Sequence, residues 1–348
     1  MRILFYLETG YPPEATGGLQ INTHELALAL LAHAHEPIVL ASRPIGRRDE
    51  PDVDEIYHGY RLIRAGQPVG LIKELVAAFA VDAVVVQTAT RIVGAMLECY
   101  DLGVPCLVYM VNVETQYWGG QPVNDPAFLF LSTSEFVAAR VRAVFGIDSE
   151  VLLPFIDPSR HIADQTGTKV LFINPHPLKG SEIFFGVAER LRKVPFLVAE
   201  SWEIGDEWRN YCFRRAAPLG NMDWRRRVDD MRTIWRETKL LFVPSVWEEA
   251  WARVVSEAQL NGIPVIASTR GGLPESVGPG GILLDAHAPI RDWAAAVERA
   301  WGDEDTYRGL SGAARRHAAR DALQPATVYE RFMGFVAAHI AAVRARQA

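Results

Sequence analysis

The stretch Leu241–Asp285, LFVPSVWEEAWARVVSEAQLNGIPVIASTRGGLPESVGPGGILLD, constrains the fold more than any other part of the chain. An apolar run at Leu240–Val243 meets Pro244-Ser245 and then a pair of acids. A pattern of helical period sets in at about Arg253. A second apolar run, Ile263–Ala267, leads into a turn containing Gly271-Gly272. Strand, loop, helix, strand and turn in that order build a parallel sheet, with loops at the strand C-termini where open α/β folds bind ligands.

Composition narrows the classes further. At 348 residues the chain has room for two ordinary domains. Residues 1–165 carry 11 Lys+Arg against 20 Asp+Glu, and residues 166–348 carry 25 against 22. The C-terminal half is therefore the natural host for an anionic ligand. The acidic N-terminal half argues against docking on nucleic acid or on an anionic membrane. Cys99, Cys106 and Cys212 are odd in number and lack metal-ligand spacing, which fits buried thiols in a reducing, cytoplasmic compartment. The opening MRILFYLE reads as a buried first strand and not as a signal peptide. No run of 18 apolar residues occurs, so no transmembrane segment is expected.

Strand-like runs at Ile3–Leu7, Pro37–Ala41, Ala83–Gln87, Cys106–Val111 and Phe128–Ser132 alternate with helical patterns at Ile21–Ala32 and Ile92–Leu102. Pro44–Tyr57, rich in charge, Pro and Gly, reads as an exposed loop. Val151–Gly167 reads as the link between domains. A second series opens with Lys169–Asn174, Phe196–Ala199 and Lys239–Val243, and Pro325–Val343 forms a terminal amphipathic helix. The expected architecture is α/β, with two Rossmann-like domains at 1–165 and 166–325 facing a central cleft, and a terminal segment at 326–348.

The central stretch closely resembles the donor-binding half of retaining GT-B glycosyltransferases of family GT4. Their signature is an acid, seven residues and a second acid, in a context such as P-S-x-x-E-G/P-F-G-x-x-x-x-E-A, followed by G-x-P-V-x-A and G-G-x-x-E. Here Pro244-Ser245-Val246-Trp247-Glu248-Glu249 leads to Glu257-Ala258, and Gly262-Ile263-Pro264-Val265 and Gly271-Gly272-Leu273-Pro274-Glu275 follow. Two acids at this spacing alone say little, because surface helices carry such pairs routinely. At about 1.5 Å rise per residue, Glu249 and Glu257 can lie roughly 12 Å apart, the span from the ribose to the far sugar of a nucleotide-diphosphate-sugar. A helix N-terminus between them suits a diphosphate.

The resemblance implies a GT-B fold whose terminal helix crosses back to the first domain. It also implies a retaining, metal-independent transfer of a sugar from a nucleotide-diphosphate-sugar donor to a hydroxyl of a small-molecule or glycan acceptor. No cofactor is expected, and neither Asp52-Val53-Asp54 nor Asp303-Glu304-Asp305 is expected to bind metal. Glu257 would hold the ribose and Glu249 the transferred sugar, with Glu248 one residue out of register. The backbone of Ala250, Trp251 and Ala252 would reach sugar and phosphate oxygens. Family members often carry Gly where this chain has Ala250 and Ala252. Arg253 could add charge near the phosphates or equally stand solvated.

In the family's G-R-x-x-x-x-K-G loop, Lys179 and Gly180 match and Asn174 stands where Arg is usual. Lys179 is expected at the diphosphate, with His176 as the local candidate for a second cation. Gly17 and Gly18 resemble the family's glycine loop, the other use of such glycines being an ordinary left-handed turn. After the strand at 106–111 the family's usual His is missing, and Asn112 or Glu114 would replace it. Arg225-Arg226-Arg227 reads as a solvated basic face ahead of a flank for the nucleotide base, and Trp202, Trp208, Trp224 and Trp235 as packing ahead of a sugar-stacking platform. The missing Arg and His leave a second reading, a non-catalytic nucleotide-sugar-binding relative.

Overall fold

Most strands of this protein are short apolar runs covered on both faces, and parallel pairing follows from that. In the computed structural model, which describes residues 1–87, 90–164, 166–201 and 203–348, the chain forms two units. The first comprises Met1–Phe155 and Gln324–Ala348, the second Ile156–Leu323.

The first unit runs β1 (Arg2–Leu7), α1 (Gly18–Ala32), β2 (Glu36–Ser42), β3 (Val53–Tyr57), β4 (Tyr60–Ala65), α2 (Ile72–Phe79), β5 (Ala83–Gln87), α3 (Ile92–Asp101), β6 (Cys106–Met110), β7 (Phe128–Ser132), α4 (Glu135–Phe145) and β8 (Glu150–Val151). The sheet order is β3-β4-β2-β1-β5-β6-β7-β8, parallel throughout except for the β3–β4 hairpin. The Pro44–Tyr57 loop expectation is thus corrected at its end. Val53–Tyr57 is an edge strand, and its charged side chains pair across the hairpin, Asp54 with Arg61 and Glu55 with Arg64.

The second unit runs β9 (Lys169–Ile173), α5 (Ser181–Arg190), β10 (Phe196–Ala199), α6 (Asp206–Ala216), β11 (Met222–Arg225), α7 (Arg232–Glu237), β12 (Thr238–Val243), α8 (Arg253–Leu260), β13 (Val265–Ser268), α9 (Leu273–Val277), β14 (Gly281–Leu284), α10 (Ile290–Gly302) and α11 (Glu304–Ala318). Its six strands, ordered β11-β10-β9-β12-β13-β14, are all parallel. Alternate residues feed two cores, Val170 and Phe172 on one face with Phe184 and Trp293, and Leu171 on the other with Trp235 and Val255. The chain then enters α12 (Pro325–Gln347), whose Val328, Phe332, Val336 and Ile340 join the core of the first unit with Phe5 and Leu107.

The division falls at Phe155/Ile156 and not at the expected 165/166, and side-chain clamps give the reason. Phe155 N–H donates to Asn22 Oδ1 in the first unit at 2.8 Å. Asn261 in the second accepts Ala163 N–H at 2.8 Å and donates to His161 O at 3.0 Å. All three cysteines are buried and free. No helix among the described residues is long and apolar enough to cross a membrane.

Candidate active site

In the second unit the loops after β9 and β12 bind each other, and this contact assembles the site. Gly180 has φ +81°, and a Cβ there would stand 2.0 Å from Pro244 O, so only glycine allows this approach. Leu178 O accepts the N–H groups of Val246 and Trp247, each at 3.1 Å. Lys179, at the end of the single turn Pro177–Lys179, is thereby brought against the start of the acidic stretch.

Lys179 Nζ donates to Glu249 Oε1 at 2.5 Å, and Ser245 Oγ donates to the same oxygen at 2.6 Å. Ser245 is fully buried and its carbonyl accepts from Ser268 Oγ at 2.6 Å. Oε1 is thus the anchored oxygen, and the carboxylate is 11% exposed. The Glu249 backbone is fixed as well, by bridging Gly271 and by accepting Gly272 N–H at 2.7 Å. A Cβ at Gly271 or Gly272 would lie 2.3 Å from Glu249 O or Ala250 O respectively, which accounts for both glycines. Glu248 turns instead to Arg270, at 3.7 Å.

Asn174 sits at φ +58°, a region Asn enters far more readily than Arg. Its Oδ1 accepts Ser201 N–H at 2.8 Å, so the side chain braces the loop after β10. His176 does not supply a second cation. Its Nδ1 accepts Leu178 N–H at 3.2 Å, which requires that nitrogen unprotonated, and burial, aided by Lys179, holds its pKa below the ordinary value.

Between the acids, Ala252 caps α8 in the left-handed region at φ +64°, and the first turn carries no acid and no side-chain cap. A helix N-terminus without a side-chain cap suits an anion. The Trp251 side chain is buried, donating to Ser256 Oγ at 3.0 Å, so only its backbone is a candidate for ligand contact. Arg253 is not the solvated side chain weighed for it. Its guanidinium is buried along the helix, Nε 3.3 Å from Glu257 Oε1. Helical i,i+4 spacing brings the two together. Glu257 is also buried, and its Oε2 lies 3.7 Å from His161 Nδ1.

Four further expectations concern side chains outside this cluster. Asp54 is paired with Arg61, Asp52 accepts Gly66 N–H, and Asp303 caps α11. Arg225 is paired with Glu237 at 3.5 Å. Trp208 and Trp224 donate to Pro175 O and Glu200 Oε1, and Trp235 lies in the core. Trp202 lies outside the described residues.

In the first unit Gly17 has φ −172° and Gly18 opens α1, so neither makes the left-handed turn weighed for them. Gly17 provides no side chain to cap the α1 amides. Asn112 Oδ1 is buried with no hydrogen-bond partner among the described residues, and Glu114 stands before the single turn Thr115–Tyr117. Sequence reasoning missed Glu8, a buried carboxylate past the end of β1 that accepts from Tyr6 Oη at 3.1 Å and pairs with Arg91. An acid ending an apolar strand was the available signal. It also missed the anchoring role of Ser245, although Ser245 lies inside the recognised motif.

Residues 167–303 match the family model described as Glycosyl transferases group 1. The D-inositol 3-phosphate glycosyltransferase of Corynebacterium kroppenstedtii is 36% identical over 97 residues, 27% of this chain and 21% of that protein. The Salinispora tropica enzyme of the same name is 30% identical over 171 residues, 44% and 35% of the respective chains. These matches thus span about a third or less of the relatives' own length. Among solved structures, sucrose-phosphate synthase from Thermosynechococcus elongatus superposes with a TM-score of 0.78 at 16% identity, covering 98% of this chain and 100% of that one. Anabaena HepE, in complex with UDP and glucose, gives 0.77 at 14%, covering 96% and 99%. At such identities the likeness establishes the fold, which is GT-B.

Proposed function

We propose, from the match of residues 167–303 to the family model Glycosyl transferases group 1, that this protein is a retaining, metal-independent glycosyltransferase using a nucleotide-diphosphate-sugar. The observation that carries the reading is the Lys179–Glu249–Ser245 cluster beside the uncapped N-terminus of α8. A cation and helix amides suit a departing diphosphate, and a carboxylate anchored through one oxygen keeps the other for sugar hydroxyls. Glu257, about one turn into the same helix from the phosphate position, suits the ribose.

In the proposed reaction the bond from the anomeric carbon to the phosphate oxygen breaks and a bond to the acceptor oxygen forms on the same face. The acceptor proton passes to the departing phosphate, and a nucleoside diphosphate leaves. The acceptor is a hydroxyl of a small molecule or glycan. The second reading, a non-catalytic nucleotide-sugar binder, is favoured by Asn174, which brings no charge and whose Oδ1 braces Ser201, and by the missing His after β6. A thermal-shift screen against UDP, GDP, ADP, CDP and dTDP tests the nucleotide site, since a bound ligand stabilises the fold. A shift with none of them sinks both readings.

A further inference from the structure

The Glu257 carboxylate is flanked on two sides, by a hydrogen-bonding guanidinium and by an imidazole nitrogen just beyond hydrogen-bond distance. Arg253 Nε lies 3.3 Å from Oε1 and His161 Nδ1 lies 3.7 Å from Oε2. His161 Nε2 in turn stands 3.5 Å from Arg253 Nη2, and all three side chains are at most 7% exposed. The His161 backbone is fixed by the same helix, because Asn261, the C-terminal cap of α8, donates to His161 O and accepts Ala163 N–H. Residues 253, 257 and 261 recur every four positions and so share one stripe, and that stripe is turned to residues 161–163.

We propose that His161 is a positioning residue for nucleoside recognition, fixing Oε2 of Glu257 so that the carboxylate meets the two vicinal ribose hydroxyls in one orientation. The inference rests on the reading of the second unit as a nucleotide site. The last torsion of a glutamate is broad, so a carboxylate held at one oxygen alone can swing. With Oε1 on the guanidinium and Oε2 drawn to an imidazole N–H, it would have a single orientation. Each oxygen still has a lone pair for a ribose hydroxyl. A movement of about 0.7 Å brings Nδ1 and Oε2 to hydrogen-bond distance. A neutral ring suffices for this, and it adds no net charge to the buried Arg253–Glu257 pair.

The test is calorimetric titration of the full chain with whichever of UDP, GDP, ADP or CDP binds, and with its 2′-deoxy and 3′-deoxy forms. Wild type, His161→Phe, His161→Asn and Glu257→Gln are compared. Wild type should prefer the ribose form by about tenfold or more, and His161→Phe should remove most of that preference while changing deoxy affinity by less than about threefold. His161→Asn, whose amide nitrogen falls near the Nδ1 position, should restore it. Equal weakening of ribose and deoxyribose forms by His161→Phe would assign His161 a structural role only and overturn the proposal. So would a preference lost in Glu257→Gln yet intact in His161→Phe, an outcome that leaves the nucleotide site standing. A preference intact in Glu257→Gln removes Glu257 from the ribose and His161 with it. Failure of all four nucleotides to bind removes the underlying reading as well.

Discussion

Lys179 Nζ and Glu249 Oε1 are 2.5 Å apart, so the cation expected at the diphosphate and the anion expected at the sugar form one electrostatic unit. Their assigned roles are separate, yet neither can be altered without moving the other. Ser245, on the same oxygen, makes the unit a trio.

Lys179→Ala should weaken nucleoside diphosphate binding by roughly 10- to 100-fold and leave nucleoside binding unchanged, because only the former loses a charge-assisted contact. The substitution also leaves Glu249, largely buried, without its cation. Thermal stability should therefore fall and should partly recover in Lys179→Ala/Glu249→Gln, a coupling that a double-mutant cycle reads directly. Equal loss for nucleoside and diphosphate, measured by calorimetry, would take Lys179 out of the phosphate site.

Ala252 caps α8 at φ +64°, a conformation that costs an L-residue about 1–2 kcal/mol and glycine almost nothing. Glycine loses more chain entropy on folding, by roughly 0.5–1 kcal/mol. Ala252→Gly should therefore stabilise the protein by up to about 1 kcal/mol. A drop in the denaturation midpoint would show that the Ala252 methyl packs favourably enough to reverse the sign.

Much of the fold is legible because parallel strands covered on both faces are apolar at nearly every position, as at Ala83–Gln87 and Phe196–Ala199. β3 is hidden because it is an edge strand whose side chains alternate between half-buried and exposed. Its signal is the two-residue turn His58-Gly59, with φ of +49° and +95°, which joins it to β4. In the site, Lys179, Glu249 and Glu257 are readable because each lies within a contiguous motif. His161 is not, since it stands 96 residues before Glu257 and only the packing of α8 joins them. Asn174 is legible as a departure, but its reason is a backbone angle that the sequence does not display.

Burial holds the pKa values of His176, His317 and His339 below the ordinary histidine value, with Lys179 adding to the effect at His176 and Arg320 at His317. As pH falls through about 6.5 the unfolded chain takes up protons that the folded chain refuses. Stability is therefore fully present above that range and declines below it. The melting temperature should fall between about pH 7.5 and about pH 5.5, and less steeply in His317→Gln and His339→Gln. A melting temperature that rises over this interval would contradict the assignment of neutral, buried rings.

Transferase activity, once a donor and acceptor are matched, should survive EDTA. Lys179 and the α8 amides can neutralise the leaving group, a task that a divalent cation performs in other sites. Activity lost in EDTA and restored by Mg²⁺ or Mn²⁺ would show that the leaving group is stabilised in another way.

The central claim is that the Lys179–Glu249 cluster activates a nucleotide-diphosphate-sugar. The most direct measurement is release of nucleoside diphosphate from a panel of UDP-, GDP- and ADP-sugars, with and without candidate acceptors, by wild type, Lys179→Ala and Glu249→Gln. At least one donor should be turned over by wild type, with the anomeric configuration retained in the product, and turnover should fall by about 100-fold or more in both variants. Tight binding of a nucleoside diphosphate without release from any sugar donor would make this protein a binding relative. Release that is unaffected by either substitution would place the chemistry elsewhere.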